Sequence, residues 1–204
     1  MPVPSPPTRP ALRARYEARR KEVVDTAARL FAEKGYAATS MAELTEATGL
    51  AAGGLYHYIE GKEDLLIAIC DELLDPLLDR AGEIVAAEAP AADHLRALLR
   101  AWLEHIETHR HHMLVFSQER RLIEGDPRWR RVRRRRRSFE RILEDVLARG
   151  EAEGALAFPD RPLALLALLG MVNYTTQWMR PRGRLSAAEI ADGYCDLLLG
   201  GEGP

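Results

Sequence analysis

Apolar positions recur at spacings of three and four along almost the whole chain, and no stretch alternates with period two over the length of a strand. The pattern predicts an all-α protein of about nine helices. The first, over about 12–34, sets Val23, Val24, Ala27, Leu30 and Phe31 on one face and stops at Gly35. Two short helices follow at 41–49 and about 52–59, the first opened by the capping box Ser40-Met-Ala-Glu43. A long helix is expected over about 62–87, kinked at Pro76. The rest fall at about 91–108, 110–123, 127–153, 160–180 and 186–199, separated by His-rich, Gly-Asp-Pro, Phe-Pro-Asp and Pro-Arg-Gly punctuation.

This layout divides the chain into a proline-rich disordered arm (1–11), a three-helix helix-turn-helix domain (12–61) and a larger helical domain (62–204). Charge sharpens the division. The 204 residues carry a formal net charge of −2. Residues 1–62 hold nine Lys/Arg against seven Asp/Glu, which leaves twenty against twenty-four for the remainder. A basic N-terminal module on a mildly acidic body suits a nucleic-acid partner. Cys70 and Cys195 lie within apolar helical patterns and form no C-x-x-C pair, so they read as core thiols of a reducing cytoplasm. No uninterrupted apolar run reaches the roughly 18 residues of a membrane span. No Ser/His/Asp order, glycine-rich phosphate loop or paired-carboxylate constellation points to an enzyme, and no cofactor is expected.

The segment SMAELTEATGLAAGGLYHYIEGKEDLL carries the function. With Gly49 as a tight left-handed turn, Leu44, Leu50 and Leu55 become the apolar anchors of two steeply crossing helices. The outer face of the second helix is left to enter a major groove. The expected DNA-facing set is Thr39, Ser40 and Met41 at the start of the first short helix, then Ala51, Ala52, Gly53, Leu55, Tyr56, His57 and Tyr58, with Lys62 as a phosphate grip. Residues 20–67 resemble the DNA-binding domain of the TetR family of bacterial one-component repressors, most specifically in LYHYIEGKEDLL. The resemblance implies a homodimer that binds double-stranded operator DNA, with a small-molecule pocket in its body and its last two helices as the dimer interface. Many relatives have Ser-Lys where this chain has Ala51-Ala52, so a cap and a phosphate-binding charge are missing. Gly53-Gly54 weakens the recognition helix by about 1 kcal/mol per glycine.

The C-terminal part, QWMRPRGRLSAAEIADGYCDLLLGG, is similar to the branch of that family that senses acyl-CoA thioesters, above all in its Trp178-x-Arg180-Pro181 turn. This implies an acyl-CoA effector and control of fatty acid or related catabolism. The expected ligand wall is Trp102, Ile106, Met113, Phe116, Phe139, Tyr174 and Trp178, with Asn173 and Gln177 toward a thioester carbonyl and His105, Glu119 and Arg120 at its edge. The run WRRVRRRRRSFE at 129–140 sits on a helix whose apolar sector, roughly 100° wide, holds Val132, Phe139, Leu143, Val146 and Leu147. Arg135 and Arg136 fall in or beside that sector and require a counter-charge. A neighbouring carboxylate such as Glu119, solvent reached by snorkelling, or the phosphates of CoA could each supply it. Alternative effectors are an unrelated hydrophobic compound, as for an efflux system, or a metal on His105 and His109. Dimerisation is expected from Leu165, Leu168, Leu169 and Val172 on one helix and Ile190, Tyr194, Leu197 and Leu198 on the other.

Overall fold

The computed structural model describes residues 7–125, 127–180 and 183–199, and only the backbone at Ala52. Most of the expected arm (1–6) and Pro181 of the expected turn lie outside the described residues. The described part is all-α. In order it comprises α1 (Pro10–Lys34), α2 (Met41–Thr48), α3 (Ala52–Leu55), α4 (Lys62–Ala86), α5 (Ala91–Thr108), α6 (Arg110–Gln118), α7 (Arg120–Gly125), a 3-10 turn (Pro127–Trp129), α8 (Arg130–Ala152), α9 (Arg161–Trp178) and α10 (Ala187–Leu198).

The helix expected from 127 opens as the 3-10 turn, with α8 starting at Arg130, and two further departures from the periodicity matter for the site. The span expected as one helix at 110–123 is two, α6 and α7, and no glycine or proline marks the break at Glu119. The helix expected to enter the groove, α3, covers a single turn, not eight residues. Ala51 offers no side-chain cap, two glycines follow, and beyond Leu55 the backbone tightens to i→i+3 bonds, His57 N to Gly54 O at 3.2 Å and Tyr58 N to Leu55 O at 3.0 Å.

The chain packs into two compact units. One contains the described residues of Met1–Leu73 and His111–Val132, the other those of Leu74–Arg110 and Arg133–Pro204. In the first, Val24, Ala27 and Phe31 of α1, Leu44 of α2, Leu55 of α3 and Leu65, Leu66 and Ile69 of α4 form the core. Met113, Val115, Ile123 and Trp129 are buried in the same unit.

In the second unit α5 packs along α10, burying Leu95, Leu99, Trp102 and Ile106 on one helix and Ile190, Ala191 and Cys195 on the other. Ion pairs edge that packing, Arg96 to Asp192 at 3.1 Å and to Asp196 at 2.9 Å, and Arg100 to Asp192 at 2.6 Å. Pro90 has no side chain with which to cap α5, and the Glu153 carboxylate accepts from Ala91 N at 2.7 Å in its place. Near the end of α8 the chain crosses closely over Gly150, where a Cβ would collide with the Leu156 side chain.

Helix α9 corrects the expected dimer stripe. Leu168, Val172 and, on α10, Ile190 are buried within the unit. Among the described residues, the large apolar side chains left exposed on these helices are Leu163, Leu166, Tyr174 and Trp178 on α9 and Leu197, 73% exposed, on α10.

Candidate nucleic-acid interface and effector site

The helix-turn-helix is fixed by short-range chemistry. The Ser40 side chain caps Glu43 N at 3.2 Å, and the Glu43 carboxylate accepts from Ser40 N at 2.8 Å and Ser40 Oγ at 2.9 Å. Lys34 Nζ also donates to Glu43 at 2.6 Å. The lysine bond first, then those from Ser40, hold the Glu43 carboxyl down at about 2. Gly49 ends α2 in the left-handed region at φ 64°, ψ 19°, turning the chain into α3. Arg19 Nη2 donates to Thr48 O at 3.0 Å and so satisfies a carbonyl at the α2 terminus. Sequence reasoning missed Arg19, because a bond across 29 residues leaves no local signal.

Tyr56 and His57 are exposed, as are Ser40, Ala51 and Gly53, while Met41 is half-buried. The half-buried Tyr58 is braced from behind: its ring lies 5.1 Å from that of Tyr16, whose hydroxyl donates to His57 O at 3.3 Å. This contact sets the α3–α4 connection against α1.

Three expected DNA-facing residues are placed differently. Leu55 is fully buried, because its face of α3 is the one that packs. Thr39 is buried, and its hydroxyl donates to Gly35 O at 2.9 Å. Lys62 Nζ donates to three carbonyls, Tyr36 O at 2.8 Å, Thr39 O at 2.9 Å and Ala37 O at 3.3 Å, and lies 4.6 Å from the centroid of the Tyr36 ring. Lys62 thus ties down the 35–39 loop between α1 and α2, whose carbonyls point to one place and gather a cation.

In the second unit Trp102 and Phe139 form an edge-to-face pair with ring centroids 4.9 Å apart, and Ile106, one turn on from Trp102, is buried. The half-buried His105 stacks on His109 with ring centroids 4.1 Å apart, and His109 Nδ1 lies 3.1 Å from His105 O. The counter-charges required by the arginine run come from the chain itself. Arg135 pairs with Asp75 of α4, and Arg136 Nε lies 3.1 Å from Glu140 Oε1. The apolar phase of α8 follows the helical wheel, with Val132, Phe139, Leu143, Val146 and Leu147 all buried.

The α9 part of the expected ligand wall faces outward. Tyr174 is 67% and Trp178 45% exposed, Gln177 is exposed and Asn173 half-buried. The inner face of that helix belongs to Leu168, Val172, Thr175 and Thr176, and the Thr175 and Tyr194 hydroxyls meet at 2.7 Å. Trp178 borders a shallow depression of about 260 Å³ that Met179, Arg180, Arg184 and Ile190 also line. Met113 (buried), Phe116 and Glu119 (half-buried) and Arg120 (exposed) belong to the first unit.

Comparison with known proteins agrees with this architecture. Residues 23–69 match the model of bacterial regulatory proteins of the tetR family, and residues 88–202 match the tetracyclin repressor-like C-terminal domain. The chain is 30% identical over 187 residues to the HTH-type transcriptional repressor KstR2 of Mycobacterium tuberculosis (strain ATCC 25618 / H37Rv), covering 90% of this chain and 92% of the repressor. The structure of the ketosteroid transcriptional regulator KstR2 of Mycobacterium tuberculosis superposes with a TM-score of 0.83 at 29% identity, over 89% of this chain and 93% of that one. AibR in complex with isovaleryl coenzyme A and operator DNA superposes with a TM-score of 0.77 at 28% identity, over 89% of this chain and 98% of that one. With matches in both halves and a capped helix-turn-helix in the first, the chain belongs to the tetR family of bacterial regulatory proteins and is a DNA-binding regulator of transcription, not an enzyme.

Proposed function

We propose that the protein is a repressor that holds a palindromic operator as a homodimer and leaves it on binding an acyl-CoA thioester, in control of fatty acid or related catabolism. In this reading residues 12–61 bind DNA, with Tyr56 and His57 as the exposed side chains at the groove, and residues 62–204 serve the effector and the dimer. The observation that carries the effector class is the likeness to AibR, whose structure holds a CoA thioester and operator DNA together. The edge-to-face pair Trp102/Phe139 with Ile106 offers an apolar, aromatic lining for an acyl chain. Phosphates that recruited Arg135 and Arg136 would draw them from Asp75 and Glu140, so ligand uptake and loss of two ion pairs become one event.

The outward leucines Leu163, Leu166 and Leu197 support dimerisation through α9 and α10. So do the exposed mid-helix glycines Gly170 and Gly193, where a Cβ would meet nothing within 4 Å of its own chain. A glycine inside a helix costs about 1 kcal/mol against alanine, and close approach of a second copy gives it a use.

The test is release of the protein from an operator selected out of a random duplex pool. A series of acyl-CoA thioesters is titrated beside free CoA and the free acids. The thioester is expected to release the DNA where the free acid does not, and Arg135→Gln is expected to blunt that response while preserving repression. Release by the free acid alone would remove the phosphates from recognition. Release by no thioester would remove the effector class and leave DNA binding standing.

A further inference from the structure

One cluster in the first unit lies outside both sites. Asp25 of α1, Glu72 of α4 and His112 of α6 bring one donor atom each to within 4.8 Å of one another. His112 is buried, and its Nε2 lies 3.4 Å from Asp25 Oδ1 and 3.7 Å from Glu72 Oε2. We propose that these three side chains form a divalent-cation site of the zinc class within the DNA-binding unit.

Geometry gives the first argument. Zinc bonds of about 2.0–2.1 Å to nitrogen and oxygen place tetrahedral ligands about 3.4 Å apart. The imidazole already stands at that spacing from one carboxylate and within a few tenths of an ångström of it from the other. Small rotations of the Asp25 and Glu72 side chains close the third edge, and water completes the set. One imidazole with two carboxylates suits zinc, cobalt or manganese better than calcium, which takes oxygen ligands.

Charge gives the second, independent argument. Glu72 Oε2 is buried and accepts no hydrogen bond among the described residues. An ammonium already sits at the same place: Lys21 Nζ is 3.1 Å from Asp25 Oδ2 and 3.7 Å from Glu72 Oε2. Two carboxylates face one ammonium, and a divalent ion would answer that imbalance more fully. The Lys21 side chain is 57% exposed on a flexible stem and can turn to water, while Asp25, 46% exposed, leaves a way in for the ion. A bound ion would cross-link α1, α4 and α6 and stiffen the unit that carries the recognition helix.

The experiment titrates chelator-stripped full-length protein with zinc chloride by calorimetry and with cobalt(II) by visible absorption. One ion per chain is expected, with a rise in melting temperature and tetrahedral cobalt bands. His112→Ala should weaken binding by at least about tenfold, the scale on which loss of even a supporting group acts. Lys21→Ala should tighten it several-fold by removing the competing ammonium, and the double variant His105→Ala/His109→Ala should leave it unchanged. Glu72→Gln, nearly isosteric, serves as the loss-of-ligand variant should His112→Ala fail to fold. Absence of zinc binding, its survival in both ligand variants, its loss in the His105/His109 variant, or weakening in Lys21→Ala would each overturn the site.

Discussion

Replacing Lys62 by methionine keeps the aliphatic stem and removes only the ammonium. The structure then loses three charge-assisted hydrogen bonds, to the Tyr36, Ala37 and Thr39 carbonyls, and a cation over the Tyr36 ring. Each such bond contributes about 1.5–3 kcal/mol in isolation. The ring contact adds about 0.5–1 kcal/mol where water is near. The sum is not the expectation, because Ala37 is exposed and its carbonyl regains water, and because one ammonium serves three acceptors at once. A loss of about 2–4 kcal/mol is expected, concentrated in the 35–39 loop and the packing of α1 on α2. Urea denaturation followed by circular dichroism should show the midpoint falling with the slope unchanged. In parallel, the salt dependence of operator binding should keep its slope, since no phosphate contact is lost. The reasoning fails if Lys62→Met is as stable as the parent to within about 0.5 kcal/mol while the log–log salt slope falls by about one unit. That pair of results would put the ammonium on the DNA backbone.

Ser40→Ala should destabilise the protein by about 1 kcal/mol in the same denaturation assay, through loss of the α2 cap. The Glu43 carboxyl is depressed from 4.5 to about 2, so its contribution is complete above pH 4.5 and is lost as pH falls toward 2; Glu43→Gln should flatten the acid limb of a melting-temperature profile across that window. Leu197→Glu should give folded monomers by sedimentation and weaken operator binding, whereas Leu168→Glu, at a fully buried position, should unfold the chain instead. Gly49→Ala should cost about 1–2 kcal/mol in thermal unfolding because its φ of 64° is left-handed, and Gly49→Asn should cost less.

What was legible from the residues alone was local or periodic. The Ser40/Glu43 box and the Gly49 turn are chemistry across three residues or within one, and α8 buries the five apolar side chains that its wheel selects. Partners distant in sequence were not legible. Lys62 meets carbonyls 23 to 26 residues upstream, and Arg135 meets Asp75 across 60 positions. The need for a counter-charge at Arg135 could be read, but its source could not. Helix α9 fails for another reason: leucines at 163, 165, 166, 168 and 169 spread over about 220° of its circumference, far wider than one face. Periodicity cannot rank two apolar faces, and only packing shows that Leu168 and Val172 turn inward while Tyr174 and Trp178 turn outward. At α3, propensity marked Gly53-Gly54 as weak but did not give the length, which is set by the absence of a cap at Ala51 and the tightened turn after Leu55.

The chain passes from one compact unit to the other inside helices, at Leu73/Leu74 in α4, Arg110/His111 in α6 and Val132/Arg133 in α8. This bears on how such a regulator can be rewired. A chimera that grafts a foreign head onto this body at residue 62 would discard Leu65, Leu66 and Ile69 from the head's core and leave Met113, Val115, Ile123 and Trp129 facing strangers. A working exchange has to carry two separate stretches of chain, with three junctions that each fall inside a helix. On the proposed reading of the DNA contacts, new operator preference is reached more directly by changing exposed positions one at a time, Tyr56 and His57 first, than by trading blocks.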